Sequence, residues 1–328
     1  MGARDTTMPH SATTDDRRVT ERTAELGHPS ACEEHESRAI QLPVSSALQG
    51  EHVDPEVSTA FLIGPPRCGT TLLGYLLGGG QDVMSLSEPF LAYAIYDPPR
   101  LRKFFLRLER KEGLKRLIPP DRADPEAFLN FLQSLAQGNG LRRLVIKETY
   151  RQDQAWDNVR MLNWIASGPH RVAAITRHPY DAAVSTLKFC RWWRGAVGHV
   201  IRLWAPGLPL FRNDEELTEY FAVNWCGFVR WCQARELPLT RYEDLVTEPE
   251  NELRRVCELC EIPFDSAMLD HAHPRAAFGG IGSPDVMRRS PRPVSNASVG
   301  RRDRLAAPLR DIIESRCAEA AAGLGYAL

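Results

Sequence analysis

Residues 64–71 read Gly64-Pro65-Pro66-Arg67-Cys68-Gly69-Thr70-Thr71 and follow the apolar run Ala60-Phe61-Leu62-Ile63. Two glycines five positions apart, between a buried strand and the helix-forming Leu72-Leu73-Gly74-Tyr75-Leu76-Leu77, lay out a phosphate cradle. Backbone N–H groups and a helix N-terminus then face an anion. The glycine spacing is that of a Walker A loop, but Thr70 stands where that loop carries the lysine that reaches the outer phosphates. The cation of this loop is Arg67, inside it. A second cluster, Arg177-His178-Pro179-Tyr180-Asp181-Ala182-Ala183-Val184-Ser185, follows the apolar run 171–176. Arg177 falls at a strand's carboxyl end, where open parallel sheets bind their ligands. Pro179 suits the first turn of a helix. Ser185 lies a little over two helical turns beyond Arg177, so a guanidinium and a hydroxyl can grip one phosphate. No later strand runs into the aspartate expected of a magnesium ligand: the one ending at Thr176 meets Arg177 instead.

These clusters need elements to hold them. Short strands fit 60–64, 144–147, 171–176 and 239–242, and helices fit 179 to about 191, 215 to about 235 and 250 to about 261. Strands alternating with helices predict an α/β fold, P-loop-like and three-layered, with a central mostly parallel sheet covered on both faces. One domain over 57–328 is the simplest partition. Residues 1–56 are polar, carry 5 Arg against 11 acidic residues and lack aromatics. They read as a disordered acidic tail.

Composition narrows the function. The 328 residues hold 41 Lys+Arg and 42 Asp+Glu, net −1, which is not the footprint of a nucleic-acid binder. No apolar run approaches the ~18–20 residues of a membrane span. Eight cysteines in this length are too dilute for a secreted disulfide scaffold. A reducing, cytoplasmic compartment is expected. Cys257-x-x-Cys260 has no second pair to complete a zinc site and reads as packing. His178 and His199 read as structural or exposed. All but five of the basic residues are Arg, which suits bidentate contact with phosphate or sulfate. Asp285–Arg304, with six Arg against two Asp, forms a late basic stretch.

Together the two clusters resemble the sulfotransferases that use 3′-phosphoadenosine 5′-phosphosulfate. Pro66-Arg67-Cys68-Gly69-Thr70-Thr71 matches that family's 5′-phosphosulfate loop, with Cys68 in the usual serine place. Arg177, Pro179, Asp181 and Ser185 match its 3′-phosphate motif. Tyr242-Glu243-Asp244-Leu245-Val246 with Pro249, and then Ile262-Pro263-Phe264, agree with a third segment. Ser298-Val299-Gly300-Arg301-Arg302 resembles the late basic loop that closes over the nucleotide, with Arg302 where Trp is common. The resemblance spans about residues 58–325.

It implies 3′-phosphoadenosine 5′-phosphosulfate as co-substrate, no metal, and transfer of a sulfuryl group to a hydroxyl. Pro66, Arg67, Cys68, Gly69, Thr70 and Thr71 would hold the 5′-phosphosulfate, and Arg177, Ser185, Arg301 and Arg302 the 3′-phosphate, with Tyr242 near the nucleotide. The cytosolic branch places its base, a histidine, two residues past a strand-end lysine. Here that place reads Lys147-Glu148-Thr149, so the histidine is missing. The carbohydrate- and tyrosine-modifying branches use a glutamate shortly after the first helix, where Ser87-Glu88-Pro89 stands. Glu88 is therefore the expected base, Lys147 the group on the bridging oxygen, and Arg67 a third catalytic residue. Trp192, Trp193 and Trp204, within Arg191–Pro209, are candidates to line the pocket of a small-molecule or glycan acceptor. A P-loop kinase and a catalytically inactive nucleotide-binding module are the alternatives.

Overall fold

The computed structural model describes residues 57–88, 125–151, 159–193, 211–270, 277–279 and 294–328. The tail 1–56, His199, Trp204 and the arginines of 280–293 lie outside them, as do the side chains of Trp192 and Trp193. The described residues all fall in one compact unit, 40–328.

The first strand, β1 (Ser58–Gly64), is apolar on both faces because both are covered: Phe61, Leu62 and Ile63 are fully buried. Phe61 and Ile63 point into one layer, with Leu144, Ile146 and Ala174 of the neighbouring strands. That layer is closed by Phe128 and Leu132 of α2 (Pro125–Gly138) and by Met161 and Ile165 of α3 (Val159–Ser167). Ala60 and Leu62 point into the other. There they meet Leu73 and Leu76 of α1 (Thr70–Leu77) and Leu253 and Val256 of α7 (Pro249–Leu259). A third apolar cluster joins α4 (Pro179–Trp193), α5 (Asp214–Gln233) and α8 (Ala307–Ala322) through Tyr180, Trp225, Leu309 and Ile313.

The sheet adds β2 (Val83–Ser87), β3 (Arg143–Thr149), β4 (Arg171–Thr176), β5 (Leu239–Arg241) and β6 (Ala277–Gly279) in the order β5-β4-β1-β3-β2-β6. Every pairing is parallel, where a mostly parallel sheet is expected from the sequence. The chain leaves β1 toward β2 on one side and β4 toward β5 on the other, although β1 and β4 are neighbours. Their carboxyl ends thus flank a topological switch point, where connections diverge and open a crevice. Register sets the rest of the rim. Gly64 pairs with Thr149, Ser87 with Lys147, and Thr176 with Arg241. The residues after each strand therefore share one edge of the sheet.

The strand expected over 239–242 ends one residue early: Tyr242 opens a short helix, α6 (Tyr242–Thr247). Cys257 and Cys260 are buried in the α1–α7 layer, with Cys257 Sγ 3.6 Å from Met268 Sδ. Burial pushes both thiols up to about 12, in keeping with packing. No helix among the described residues is long and apolar enough to cross a membrane.

Candidate functional site at the carboxyl rim of the sheet

The loop between β1 and α1 turns on two residues in the left-handed region, Arg67 at φ 66° and Gly69 at φ 98°. Gly69 is the N-cap of α1 and offers no side-chain cap. The cap residue therefore satisfies none of the first N–H groups of that helix, whose dipole favours an anion there. Gly69 is required sterically as well as conformationally: a Cβ there would lie 2.5 Å from Cδ2 of the Tyr242 ring. Gly69→Ala is therefore expected to lower the melting temperature. The φ alone costs about 1–2 kcal/mol, at ~2–4 °C per kcal/mol for a domain of this size, and displacement of Tyr242 adds to it. A drop no larger than the φ cost would show that the added Cβ does not displace the ring. Cys68 packs the loop onto the core. Its side chain is wholly buried with Tyr180 and Trp225, its N–H is spent on the Pro65 carbonyl at 3.3 Å, and burial holds its thiol up at about 12.

Arg67 reaches across the switch point. Its Nε donates to Ser185 Oγ at 3.2 Å, and its guanidinium lies 4.8 Å from the Phe189 ring centroid. The two sequence clusters, more than a hundred residues apart, thus meet directly. Arg177 is buried, 5% exposed. Its guanidinium lies over Tyr242, 4.3 Å from the ring centroid, and donates to the Ser298 carbonyl. Its own carbonyl accepts from Trp225 Nε1 at 3.0 Å. Tyr242 Oη and Ser298 Oγ share a hydrogen bond of 2.7 Å. The late basic loop is therefore folded onto Arg177 and Tyr242.

What fastens that loop is Asp181, whose two oxygens accept from the Gly300 and Arg301 amides at 2.9 and 2.6 Å. Asp181 belongs to the second motif, but its part as a clamp shows only in the tertiary structure. Arg301 is thereby brought close enough to Arg177 that burial, and next the Arg177 charge, depress its pKa. Arg302 goes elsewhere: it donates to Glu314 at 2.9 Å and lies 5.1 Å from the Tyr180 ring centroid. Tyr180 Oη donates to the same carboxylate. His178 is structural, with Nε2 donating to the Ala327 carbonyl at 3.0 Å and its ring stacked on Tyr180.

None of Arg67, Arg177 and Arg301 has a carboxylate ion-pair partner among the described residues, and Nε of both Arg177 and Arg301 is buried with no hydrogen-bond partner. A buried donor without an acceptor is costly, and like charges beside it add to the cost. An oxyanion of charge −2 relieves both. The residues present fit a phosphate group.

On the other side of the crevice, Glu88 follows β2, also in the left-handed region at φ 53°. Its amide donates to the Lys147 carbonyl at 2.7 Å. Its Oε1 accepts from Lys147 Nζ at 2.7 Å and from Thr149 Oγ1 at 2.6 Å. Burial works to raise the Glu88 pKa, but the Lys147 ammonium and the Thr149 hydroxyl overcome it and hold the carboxyl at about 2. Lys147 is itself nearly inaccessible, 3% exposed. Thr70, Thr71, Ser87 and Lys147 line one narrow cleft at the foot of the cradle. Thr149 and Asp181 are the site residues that the sequence reading left out of its candidates.

A sequence model described as "Sulfotransferase family" matches residues 60–266. Among solved structures, the sulfotransferase domain of the curacin biosynthetic pathway is similar at 18% identity and a TM-score of 0.48, over 83% of this chain and 99% of that one. The sulfotransferase domain of the Synechococcus PCC 7002 olefin synthase is similar at 20% identity and 0.48, over 85% and 98%. Mouse sulfotransferase SULT7A1, solved with PAP, is similar at 14% identity and 0.46, over 84% and 90%. No curated protein matches the chain.

Proposed function

Since the chain belongs to the sulfotransferase family, we propose that it moves a sulfuryl group from 3′-phosphoadenosine 5′-phosphosulfate to an acceptor hydroxyl by in-line displacement. The observation that carries the donor assignment is the pair of buried, unpartnered guanidinium Nε–H groups on Arg177 and Arg301. Both stand at the switch point across from the helix N-terminus of α1, which has no side-chain cap. That is a two-phosphate site made of arginines and backbone amides.

The loop Pro66–Gly69, with Arg67, Thr70, Thr71 and the first turn of α1, holds the 5′ end of the donor. Arg177, Ser185 and Arg301 hold its 3′-phosphate. Tyr242 fixes the Arg177 guanidinium from below, and Asp181 keeps Arg301 in place. Arg302, engaged with Glu314 and Tyr180, braces the closing loop. The donor supplies an activated sulfuryl group whose leaving oxygen belongs to a phosphate. Protein catalysis of such a transfer is mostly positioning and charge neutralisation. Lys147 donates to the departing oxygen, and Glu88 takes the acceptor's proton as the new S–O bond forms. The acceptor is a small molecule or a glycan, and the reaction belongs to the reducing cytoplasm, on the cysteine usage argued above.

The experiment is a thermal melt. We expect 3′,5′-adenosine bisphosphate to raise the melting temperature without magnesium, by about 2.7 kcal/mol of stabilisation at 100 times the dissociation constant. A shift from ATP–magnesium alone would favour the kinase alternative, and no shift from either would favour an inactive module. Mass spectrometry of candidate hydroxyl compounds incubated with the donor then identifies the acceptor.

A further inference from the structure

Among the polar groups of the cleft below the cradle, Ser87 stands beside Lys147. Ser87 is 7% exposed, and its hydroxyl is buried with no hydrogen-bond partner. It lines the cleft with Thr70, Thr71, Tyr75, Ser85 and Lys147. Ser87 and Lys147 are register partners on β2 and β3, so their side chains leave the sheet side by side on the same face. The neighbouring polar groups are placed otherwise. Thr149 donates to Glu88, and Ser85, two residues back along β2, has its Oγ under α1, 3.4 Å from where a Cβ on Gly74 would stand. Serine at 87 therefore adds an uncompensated hydroxyl to a buried strand end, where alanine would pack without penalty.

Lys147 faces a complementary difficulty. An ammonium carries three N–H donors. While one of them rests on Glu88 Oε1, the carboxylate is a poor proton acceptor. To release Glu88 as a base the ammonium must turn away from it, inside a narrow, buried cleft. Burying a charge without fixed partners is expensive.

We propose that Ser87 Oγ is the second seat of the Lys147 ammonium. When Lys147 turns from Glu88 toward the phosphosulfate, Ser87 Oγ accepts one of its N–H bonds and Glu88 keeps only the Thr149 hydroxyl. One movement then supplies the cation to the leaving oxygen and releases the base. Ser87 is a positioning residue acting through Lys147, and the inference rests on the donor assignment above.

The test compares two nucleotides that differ by the sulfuryl group. Affinities of the whole protein for 3′-phosphoadenosine 5′-phosphosulfate and for 3′,5′-adenosine bisphosphate are measured without acceptor, in wild type, Ser87→Ala, Ser87→Thr, Lys147→Met and the Ser87→Ala/Lys147→Met double variant. Ser87→Ala should leave the bisphosphate affinity unchanged and weaken the phosphosulfate roughly tenfold, the scale of one hydrogen bond to a charged group. Ser87→Thr, which keeps the hydroxyl, should restore it. In the Lys147→Met background Ser87→Ala should add nothing. The unliganded melting temperature of Ser87→Ala should equal or exceed that of wild type, because a partnerless hydroxyl has been removed. Equal weakening of both nucleotides, or a full effect persisting without Lys147, would overturn the seat while leaving the donor assignment standing. Wild-type protein that binds neither nucleotide would overturn the donor assignment, and the seat with it.

Discussion

Glu88→Gln is expected to lower turnover about 10²–10⁴-fold, the usual worth of a general base, on any hydroxyl that the wild-type protein sulfates. Glutamine keeps the size of the side chain and an oxygen for the Lys147 and Thr149 hydrogen bonds, but it cannot take a proton. The affinity for 3′,5′-adenosine bisphosphate should not change, because Arg67, Arg177 and Arg301 are untouched. The pH profile sharpens the test. Glu88 must be ionised to act, and beside Lys147 its carboxyl titrates near 2, below the ordinary 4.5. The acid limb of kcat/KM, which follows the unloaded protein, should therefore lie below the ordinary carboxylate range. The limb of kcat follows the loaded complex and should lie higher, because Lys147 has turned away. The same pairing ties stability to pH. A depressed carboxylate contributes stability above its unfolded pKa, and that contribution is lost as pH falls from about 4.5 toward 2. Near-normal kcat in Glu88→Gln would remove Glu88 as the base.

The Glu88–Lys147 pair also marks where the sequence stops being legible. Each residue stands out separately, one after the first helix and one at a strand end. Their contact depends on β2 lying beside β3, which no local pattern reveals. Lys147 next to Glu148 suggests a local pair, yet successive residues of a strand face opposite ways, and the partner comes from the neighbouring strand. β2 itself, Val-Met-Ser-Leu-Ser, is too short and too evenly mixed to declare itself. α8 carries its buried Leu309, Ile313, Cys317 and Ala321 at spacings of four, but its alanine-rich remainder blurs the contrast between faces. The two phosphate elements read clearly because glycine and proline act through backbone geometry at the position where they occur. The left-handed backbone at Arg67 and Glu88 could not be read: neither residue favours that region, and tertiary contacts impose it. Asp181 is the intermediate case, visible as a motif position, with its role fixed only by the return of Gly300 and Arg301 from the far end of the chain.

Arg177→Ala should weaken 3′,5′-adenosine bisphosphate by about 1.5–3 kcal/mol, or roughly 10- to 150-fold, without loss of the fold. The contact that ties this position to the α5 layer is made by its backbone: the Arg177 carbonyl accepts from Trp225 Nε1, and any residue supplies a carbonyl. Its guanidinium, by contrast, stands against the Arg301 charge with a buried, unpartnered Nε. Removing it relieves that strain and opens a gap over Tyr242. Arg177→Met, which keeps the stem, separates the two effects. The methionine variant gives up the hydrogen bond to the Ser298 carbonyl together with the strain, so it should melt near the wild-type temperature and still lose the nucleotide, as expected when a site holds strain for the sake of its ligand. Asp181→Asn is the complementary change. It leaves every arginine in place and weakens only the clamp on the Gly300 and Arg301 amides, so its loss of affinity should be smaller than that of Arg177→Ala. Isothermal titration of the three variants ranks them. Unchanged affinity in Arg177→Met would place the 3′-phosphate away from β4. A larger loss in Asp181→Asn than in Arg177→Ala would mean that the closing loop, rather than the strand-end arginine, supplies most of the binding.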